Sequence, residues 1–149
     1  MKLSGKRAIV TGGSQGIGHG IVEAFIAEGA FVTTCGRREK PENLPSACEY
    51  IKLDVADSTA VNKFAASQPG TDILVNNAGV QVEKTVIEST DDDWDSVIGV
   101  NARGVFNLCR AFIPARIRVD QLLILVQSQA MLPTRLWHCT THPKRLCTD

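Results

Sequence analysis

The feature of this sequence that most constrains its fold is a glycine-rich segment, Thr11–Gly18, which reads Thr-Gly-Gly-Ser-Gln-Gly-Ile-Gly. It follows a short apolar stretch, Arg7–Thr11, and leads into Ile17–Glu28, where apolar residues recur at helical spacing until Gly29. Glycine permits the backbone angles of a tight strand-to-helix turn, and the free N–H groups at a helix start attract phosphate. The segment therefore predicts a phosphate-binding turn; a glycine-rich turn without a ligand is the alternative interpretation.

Strand and helix patterns alternate along the rest of the chain. Helical patterns occur in a short helix capped by Asp57 or Ser58 and in a long helix from about Asp91 to Ile113. Strands that are apolar on both faces and alternate with helices are typical of a parallel sheet covered on both sides. The predicted fold class is α/β, a Rossmann-like doubly wound parallel sheet, incomplete at its C-terminal end. Its further strands are predicted at Ala30–Cys35, Tyr50–Leu53, Ile73–Val75 and Gln121–Val126.

The character of the sequence changes near residue 114. All twelve glycines lie at or before Gly104, and residues 114–149 contain five basic residues against two acidic ones. No clear period continues beyond Pro133. We therefore expect residues 1–131 to form a partial nucleotide-binding domain and residues 132–149 to form an irregular tail.

The overall composition narrows the class of protein. Basic and acidic residues both number 16, so nothing favours nucleic acid or an anionic membrane as a partner. No apolar run reaches the length of a membrane span, and charged residues occupy the start of the chain where a signal peptide would be apolar. These features predict a cytoplasmic protein. Its five scattered cysteines are then expected to be free and mostly buried.

The segment Thr11–Gly18 resembles the Thr-Gly-x-x-x-Gly-x-Gly motif of the short-chain dehydrogenase/reductase family. Four further segments resemble motifs of that family in the same order: Leu53-Asp54-Val55, Asn76-Asn77-Ala78-Gly79, Val100-Asn101 and Ser128-Gln129-Ala130. The resemblance implies that Asp54 contacts the adenine ring and that the segment after Asn76 lines the cofactor cleft. The cofactor-binding residues it implies are Gly12, Ser14, Gln15, Gly16, Ile17, Gly18, Asp54, Val55, Asn77, Ala78 and Gly79.

Two catalytic residues are also implied by the resemblance. Ser128 corresponds to the catalytic serine at the end of the fifth strand, and Asn101 to the helix asparagine of a water and lysine relay. Asn101 falls within an apolar stripe, so a core asparagine that bonds only to backbone is the alternative interpretation. The stripe consists of Trp94, Val97, Ile98, Val105, Leu108 and Phe112.

The residues at the end of the second strand indicate which nicotinamide cofactor is bound. A dinucleotide site often places Asp or Glu there for the ribose 2′-hydroxyl, whereas this chain has Arg37 and Arg38. Guanidinium groups suit a 2′-phosphate, so NADP is favoured over NAD. Glu39 could neutralise one arginine, and a solvated loop without a ligand is the alternative.

Metal binding is not favoured at two candidate places. The acidic run Asp91–Asp95 is explained by the helix dipole, which favours carboxylates at a helix start. His138, Cys139, His142 and Cys147 fit no common zinc-finger spacing.

The family's Tyr-x-x-x-Lys pair is absent, because the sole tyrosine is Tyr50. Reading the tail from Trp137 one base out of register permits Ala-Leu-Tyr-Asn-Ala-Ser-Lys-Ala, which contains the missing pair. Our hypothesis is that the tail is an out-of-frame translation of a dehydrogenase gene.

The resulting prediction is an NAD(P)-dependent oxidoreductase that transfers hydride between nicotinamide and a small carbonyl compound or secondary alcohol. The chain as written is expected to be inactive, and a non-catalytic dinucleotide-binding fragment is the alternative. An open sheet edge and an uncovered helix face predict self-association or poor solubility.

Overall fold

The computed structural model describes residues 1–115 and the strand at 122–124. The strands are β1 (Arg7–Thr11), β2 (Phe31–Gly36), β3 (Cys48–Lys52), β4 (Ile73–Asn76) and β5 (Leu122–Ile124). The helices are α1 (Gly16–Ala27), α2 (Ser58–Ser67), α3 (Asp91–Ile98) and α4 (Val105–Phe112), with a π-helical segment Gly99–Gly104 between α3 and α4 and a short 3₁₀ turn Ile113–Ala115 after α4.

The five strands form one parallel sheet in the order β3-β2-β1-β4-β5. The chain moves outward from β1 through β2 to β3, and then returns to the other side of β1 for β4 and β5. The predicted doubly wound parallel sheet is confirmed. The reversal falls between β1 and β4, and a crevice at the carboxyl ends of the strands is the usual ligand site of such sheets.

Each face of the sheet carries its own apolar cluster, because successive strand residues point to opposite faces. On one face α1 packs against β1 and β2, through buried side chains that include Val10, Val22 and Val32. On the other face α2 and α4 pack together, with the rings of Phe64 and Phe112 edge to face at 5.8 Å between centroids. Two covered faces hold the carboxyl ends of the strands in fixed relative positions.

The predicted long helix is present from Asp91 to Phe112 but is not a uniform α-helix. Its middle turn is π-helical, and Gly104 there packs so closely on Val55 that an added Cβ would lie 2.6 Å from a Val55 methyl carbon. Two members of the predicted apolar stripe are exposed, since Trp94 is 52% and Ile98 37% accessible. The predicted stripe assumes a uniform α-helix, whereas the wider π turn changes which side chains of this helix face the sheet.

The acidic run is confirmed as the start of a helix. Thr90 caps α3 by accepting a hydrogen bond from the Asp93 N–H, and the Asp93 carboxylate accepts one from the Thr90 N–H in return. Lys84 pairs with the same carboxylate at 2.7 Å. The run therefore serves the helix start and its neighbouring loop.

The connection from β2 to β3 contains no helix, so the chain passes through a loop at residues 37–47. Leu44 anchors this loop, since it is 7% exposed. None of the helices in the described ranges is long and apolar enough to cross a membrane.

Candidate functional site

The turn between β1 and α1 has two glycines whose backbone angles favour glycine. Gly12 and Gly16 have φ values of +69° and +57°, which side-chain-bearing residues adopt at a cost. The turn is held from below by Thr34, whose hydroxyl donates to the Val10 carbonyl at 2.6 Å and accepts from the Gly13 N–H at 2.9 Å. Because Thr34 holds the turn from the sheet side, the backbone on the other side of the turn lines the crevice.

Gly18, the last glycine of the motif, marks a close approach rather than an unusual angle. A Cβ at this position would collide with the Gly12 carbonyl and with the side-chain amide of Asn77. Gly18 therefore allows the first turn of α1 to lie against the turn backbone and the segment that follows β4.

Thr11 joins the glycine-rich turn after β1 to the segment that follows β4. Its hydroxyl oxygen accepts hydrogen bonds from the N–H groups of Asn77 and Ala78 at 3.0 and 2.9 Å, and donates to the Val75 carbonyl at 3.4 Å. The Asn77 side-chain amide donates to the Thr11 and Gly12 carbonyls at 2.9 and 3.2 Å. The ends of β1 and β4 are thereby fixed against each other at the reversal of the sheet.

The N-terminus of α1 differs from those of α2 and α3, which have side-chain caps. The N-cap residue Gln15 makes no side-chain cap, and the first turn contains no acidic residue. By contrast, Asp57 caps α2 by accepting from two backbone N–H groups, and Thr90 caps α3. The uncapped N–H groups of α1 and its positive dipole end are directed toward the crevice, where they suit a phosphate.

A cavity of about 490 Å³ lies along the carboxyl ends of β1, β2, β3 and β4. All thirteen residues predicted to bind the cofactor line this single cavity: Gly12, Ser14, Gln15, Gly16, Ile17, Gly18, Arg37, Arg38, Asp54, Val55, Asn77, Ala78 and Gly79. Ile17 is 74% exposed there, although its spacing had suggested the buried face of α1. Its place in the first turn, beside the glycine backbone, accounts for this exposure.

Several lining residues were not predicted from the sequence. They include Cys35, Glu39, Tyr50, Val80 and Val100. Burial raises the pKa of the Cys35 thiol to about 12, so this cysteine is not a nucleophile near neutral pH. Val100 belongs to the Val100-Asn101 motif, whereas no motif marks the other four, which meet the cavity through the pairing of β2 with β3 and the hydrogen bonds between the π segment and Val80.

Glu39, the acidic residue next to the two arginines, does not neutralise them. The Glu39 carboxylate pairs with the ammonium of Lys52 on β3. In the part of the chain that the structure describes, neither Arg37 nor Arg38 forms an ion pair, and both are exposed. Two guanidinium groups therefore remain available at the cavity wall.

The wall formed after β3 is held by its own hydrogen bonds. The Asp54 carboxylate accepts from the Ala56 N–H at 2.9 Å. Asn107 of α4 is 2% exposed and donates to the carbonyls of Val55 and Ala56 at 3.1 and 3.3 Å. Asn107 was missed in the sequence, although its position among apolar helix residues is the same kind of signal that marked Asn101.

Asn101 lies within the π segment and does not line the cavity itself. Its side-chain oxygen accepts from the Val80 N–H at 2.8 Å, and its amide donates to the Val80 carbonyl at 3.0 Å. Val80 continues the segment after β4 and lines the cavity. Ser128 lies outside the described residues, as do His138, Cys139, His142 and Cys147. Within residues 1–115 and 122–124, no group of three or more His, Cys, Asp or Glu side chains could hold a metal ion.

Comparison with known proteins agrees with this geometry. Residues 6–134 match the sequence model of a family described as short chain dehydrogenase. The oxidoreductase UcpA of Salmonella typhimurium is 35% identical over 139 aligned residues, which cover 85% of this chain and 53% of the relative. The 3-oxoacyl-(acyl-carrier-protein) reductase FabG of Chlamydia pneumoniae is 36% identical over 123 residues, which cover 74% of this chain and 50% of that protein.

A solved structure of a short chain dehydrogenase/reductase family protein superposes with a TM-score of 0.71 at 31% identity, and the match covers 77% of this chain and 51% of the other. The chain thus spans about half the length of the relatives it matches. The glycine turn, the paired ends of β1 and β4, the shared cavity and these matches lead to one conclusion: the chain belongs to the short-chain dehydrogenase/reductase family.

Proposed function

We propose that this chain is the dinucleotide-binding part of an oxidoreductase that uses NADP. The observation that carries the proposal is the convergence of all thirteen predicted cofactor-binding residues on one cavity of about 490 Å³. Such a cavity, open along the carboxyl ends of parallel strands at the reversal of their order, is of the kind that takes a dinucleotide.

The donor set of the cavity suits the separate parts of a dinucleotide. The uncapped N–H groups of α1 and the glycine backbone would hold the pyrophosphate. The exposed carboxylate of Asp54 would accept from the adenine amino group, as the family resemblance implies. When bound, the nicotinamide supplies the hydride acceptor or donor, and the residues of this chain bind and orient it.

The preference for NADP rests on Arg37 and Arg38. Both guanidinium groups line the cavity, and Glu39 is paired elsewhere, with Lys52. A 2′-phosphate between two available arginines gains charge-assisted hydrogen bonds, whereas the unmodified hydroxyl of NAD gains little there. NAD is the alternative cofactor.

Calorimetric titration of the purified chain with NADPH and NADH tests both parts of this proposal. We expect NADPH to bind at least about tenfold more tightly, which corresponds to one well-formed charged contact of about 1.5–3 kcal/mol. Arg37→Gln combined with Arg38→Gln should remove the difference and leave NADH affinity nearly unchanged. Absence of binding for both dinucleotides would reject the proposed function.

The proposed reaction is hydride transfer between nicotinamide and a small carbonyl compound or secondary alcohol. The name of the relative FabG specifies a 3-oxoacyl substrate, which supports a carbonyl class. Asn101 and Ser128 are the proposed catalytic residues of this chain, and Ser128 lies outside the described residues. The second candidate, a dinucleotide-binding fragment without catalysis, is favoured by the absence of Tyr-x-x-x-Lys from the 149 residues.

Turnover distinguishes the two candidates. We expect no oxidation of NADPH above background by this chain across a panel of ketones, aldehydes and 3-oxoacyl thioesters, because no phenol is placed to move the proton. The coding DNA after codon 131 tests the proposed frame shift. The shifted frame should continue as Tyr-Asn-Ala-Ser-Lys and then as further dehydrogenase sequence, whereas early stop codons would reject the proposed shift.

A further inference from the structure

We propose that Tyr50 and Lys52, neighbours on one face of β3, are positioning residues that set the affinity of this cavity for a 2′-phosphate. They act through the loop that carries Arg37 and Arg38. The proposal rests on the proposed function, since it concerns how the NADP preference of the same cavity is produced.

Tyr50 fixes the backbone of the arginine loop. It pairs with Thr34 in the register of β2 and β3, and its hydroxyl reaches past Gly36 to donate to the Arg38 carbonyl at 2.7 Å. The path is close to Gly36, since a Cβ there would lie 3.0 Å from the Tyr50 hydroxyl oxygen and the phenol would have to shift slightly. The phenol thus determines where the backbone of Arg38 lies relative to the cavity.

Lys52 fixes the acidic side chain of the same loop. Its ammonium pairs with the carboxylate of Glu39, which lines the cavity next to Arg38. Lys52 itself does not line the cavity, so its influence passes through Glu39. Without Lys52, the Glu39 carboxylate would be free to pair with a neighbouring guanidinium and to repel a phosphate.

Little else holds this part of the loop. In the described part of the chain, residues 37–40 take part in two hydrogen bonds outside regular secondary structure, those to Tyr50 and Lys52. The loop between β2 and β3 has no helix whose hydrogen bonds could define its backbone. Both of these hydrogen bonds, which hold the loop segment that carries the arginines, therefore come from the outer strand β3.

The test compares two ligands that differ only in the group at issue. Adenosine 2′,5′-bisphosphate carries the 2′-phosphate and adenosine 5′-monophosphate lacks it, so the ratio of their dissociation constants isolates the 2′-phosphate contact. Both are titrated calorimetrically into the full chain. Tyr50→Phe should lower the affinity for the bisphosphate about 3- to 10-fold, the effect of one lost hydrogen bond, with less than about a twofold change for the monophosphate. A purely structural role for Tyr50 would weaken both ligands equally.

A double-mutant cycle of Lys52 and Glu39 tests the role of Lys52. Both side chains are exposed, so neither substitution disturbs the core. Lys52→Gln should lower bisphosphate affinity about 3- to 10-fold, because it releases the Glu39 carboxylate. Glu39→Gln alone should have little effect, and Lys52→Gln with Glu39→Gln together should return close to the original affinity. Equal effects of Glu39→Gln in the presence and absence of Lys52 would overturn the role assigned to the pair.

The possible failures are distinguishable. If the unaltered chain binds neither ligand, the proposed function fails and this inference fails with it. If the unaltered chain prefers the bisphosphate and the ratio is unchanged in Tyr50→Phe and Lys52→Gln, the function stands and the positioning role is rejected.

Discussion

The side chain of Asn101 forms two hydrogen bonds with the backbone of Val80, one to its N–H at 2.8 Å and one to its carbonyl at 3.0 Å. This pair joins the π-helical turn to the segment that follows β4 and lines the cavity. The alternative interpretation of Asn101, a core asparagine bonded to backbone, describes these contacts. A catalytic role remains a proposal for the same residue, and the two roles do not exclude each other.

Asn101→Ala should lower the free energy of unfolding by about 1–3 kcal/mol, because it leaves two partly buried backbone groups of Val80 without their partner. Urea denaturation followed by circular dichroism measures the change. Asn62→Ala, on the exposed side of α2, is the matched control and should change stability little. Equal stabilities for the two variants would show that the Val80 contacts contribute nothing.

Substitution of two glycines in α1 should have opposite effects. Gly18→Ala places a methyl group against the Gly12 carbonyl and the Asn77 amide, so we expect a loss of about 1–3 kcal/mol in stability and a large loss of NADPH affinity. Gly20→Ala meets no atom within 4 Å and should stabilise the helix by about 0.5–1 kcal/mol. Thermal denaturation with and without NADPH reports both effects. A neutral Gly18→Ala would contradict the close packing described here.

The contribution of the Thr11 hydroxyl oxygen to stability can also be tested by substitution. Thr11→Val keeps the shape of the side chain but leaves the N–H groups of Asn77 and Ala78 without their acceptor, so stability should fall by about 1–3 kcal/mol. Thr11→Ser retains the hydroxyl and should retain most of the stability and dinucleotide binding. Should the serine variant lose as much as the valine variant, the methyl group rather than the oxygen would be responsible.

The start of α3 should contribute to the acid sensitivity of the fold. The hydrogen bond from Lys84, with those from the Thr90 backbone and side chain, lowers the pKa of Asp93 from 3.8 to about 2. A carboxyl with a lower pKa in the folded state stabilises the fold above its unfolded pKa, and this stabilisation is lost as pH falls from about 4 to about 2. Asp93→Asn should therefore flatten the loss of stability across that window. Asp92→Asn, in the same first turn, is the control and should have a smaller effect than Asp93→Asn, because Asp92 does not take part in the capping hydrogen bonds.

The expected self-association can be tested at two exposed aromatic side chains of the long helix. Trp94 and Phe106 are 52% and 58% exposed on the stretch formed by α3, the π segment and α4. Trp94→Lys with Phe106→Lys should shift the sedimentation coefficient toward that of a monomer. Ile87→Lys, at a loop residue that is 97% exposed, tests whether any added charge has the same effect.

Patterns within a short stretch of sequence predicted the strands and the glycine turn well. The bounds of β1 are those expected, Arg7–Thr11, and of the two residues predicted as possible caps of α2, Asp57 is the cap. The parallel sheet followed from apolar strands alternating with helices, and the matches to known proteins support the family resemblance. The strands, the cap and the glycine turn are local, so the residues that determine them are adjacent in the sequence, and the sheet followed from the order of these elements along the chain.

The features that were missed depend on residues far apart in the chain. The π turn lies where Gly104 packs on Val55 and Asn101 bonds to Val80, and neither contact follows from helical periodicity. Tyr50 carried no motif, and its contact with Arg38 arises only from the register of β2 with β3. Residues after 115, apart from those at 122–124, lie outside the described structure, so the predicted division at residue 131 stays a prediction.

The single oxygen of Thr11 has a consequence for the order in which the molecule assembles. It joins β1 to backbone groups 66 and 67 residues further along the chain, so the glycine-rich turn between β1 and α1 reaches its final shape only after β4 has paired with β1. Contacts of such wide separation form slowly, because a long loop must close before they contribute. The proposed dinucleotide site is therefore complete only in the assembled sheet. We expect a bound dinucleotide to slow the unfolding of the domain while leaving its folding rate almost unchanged.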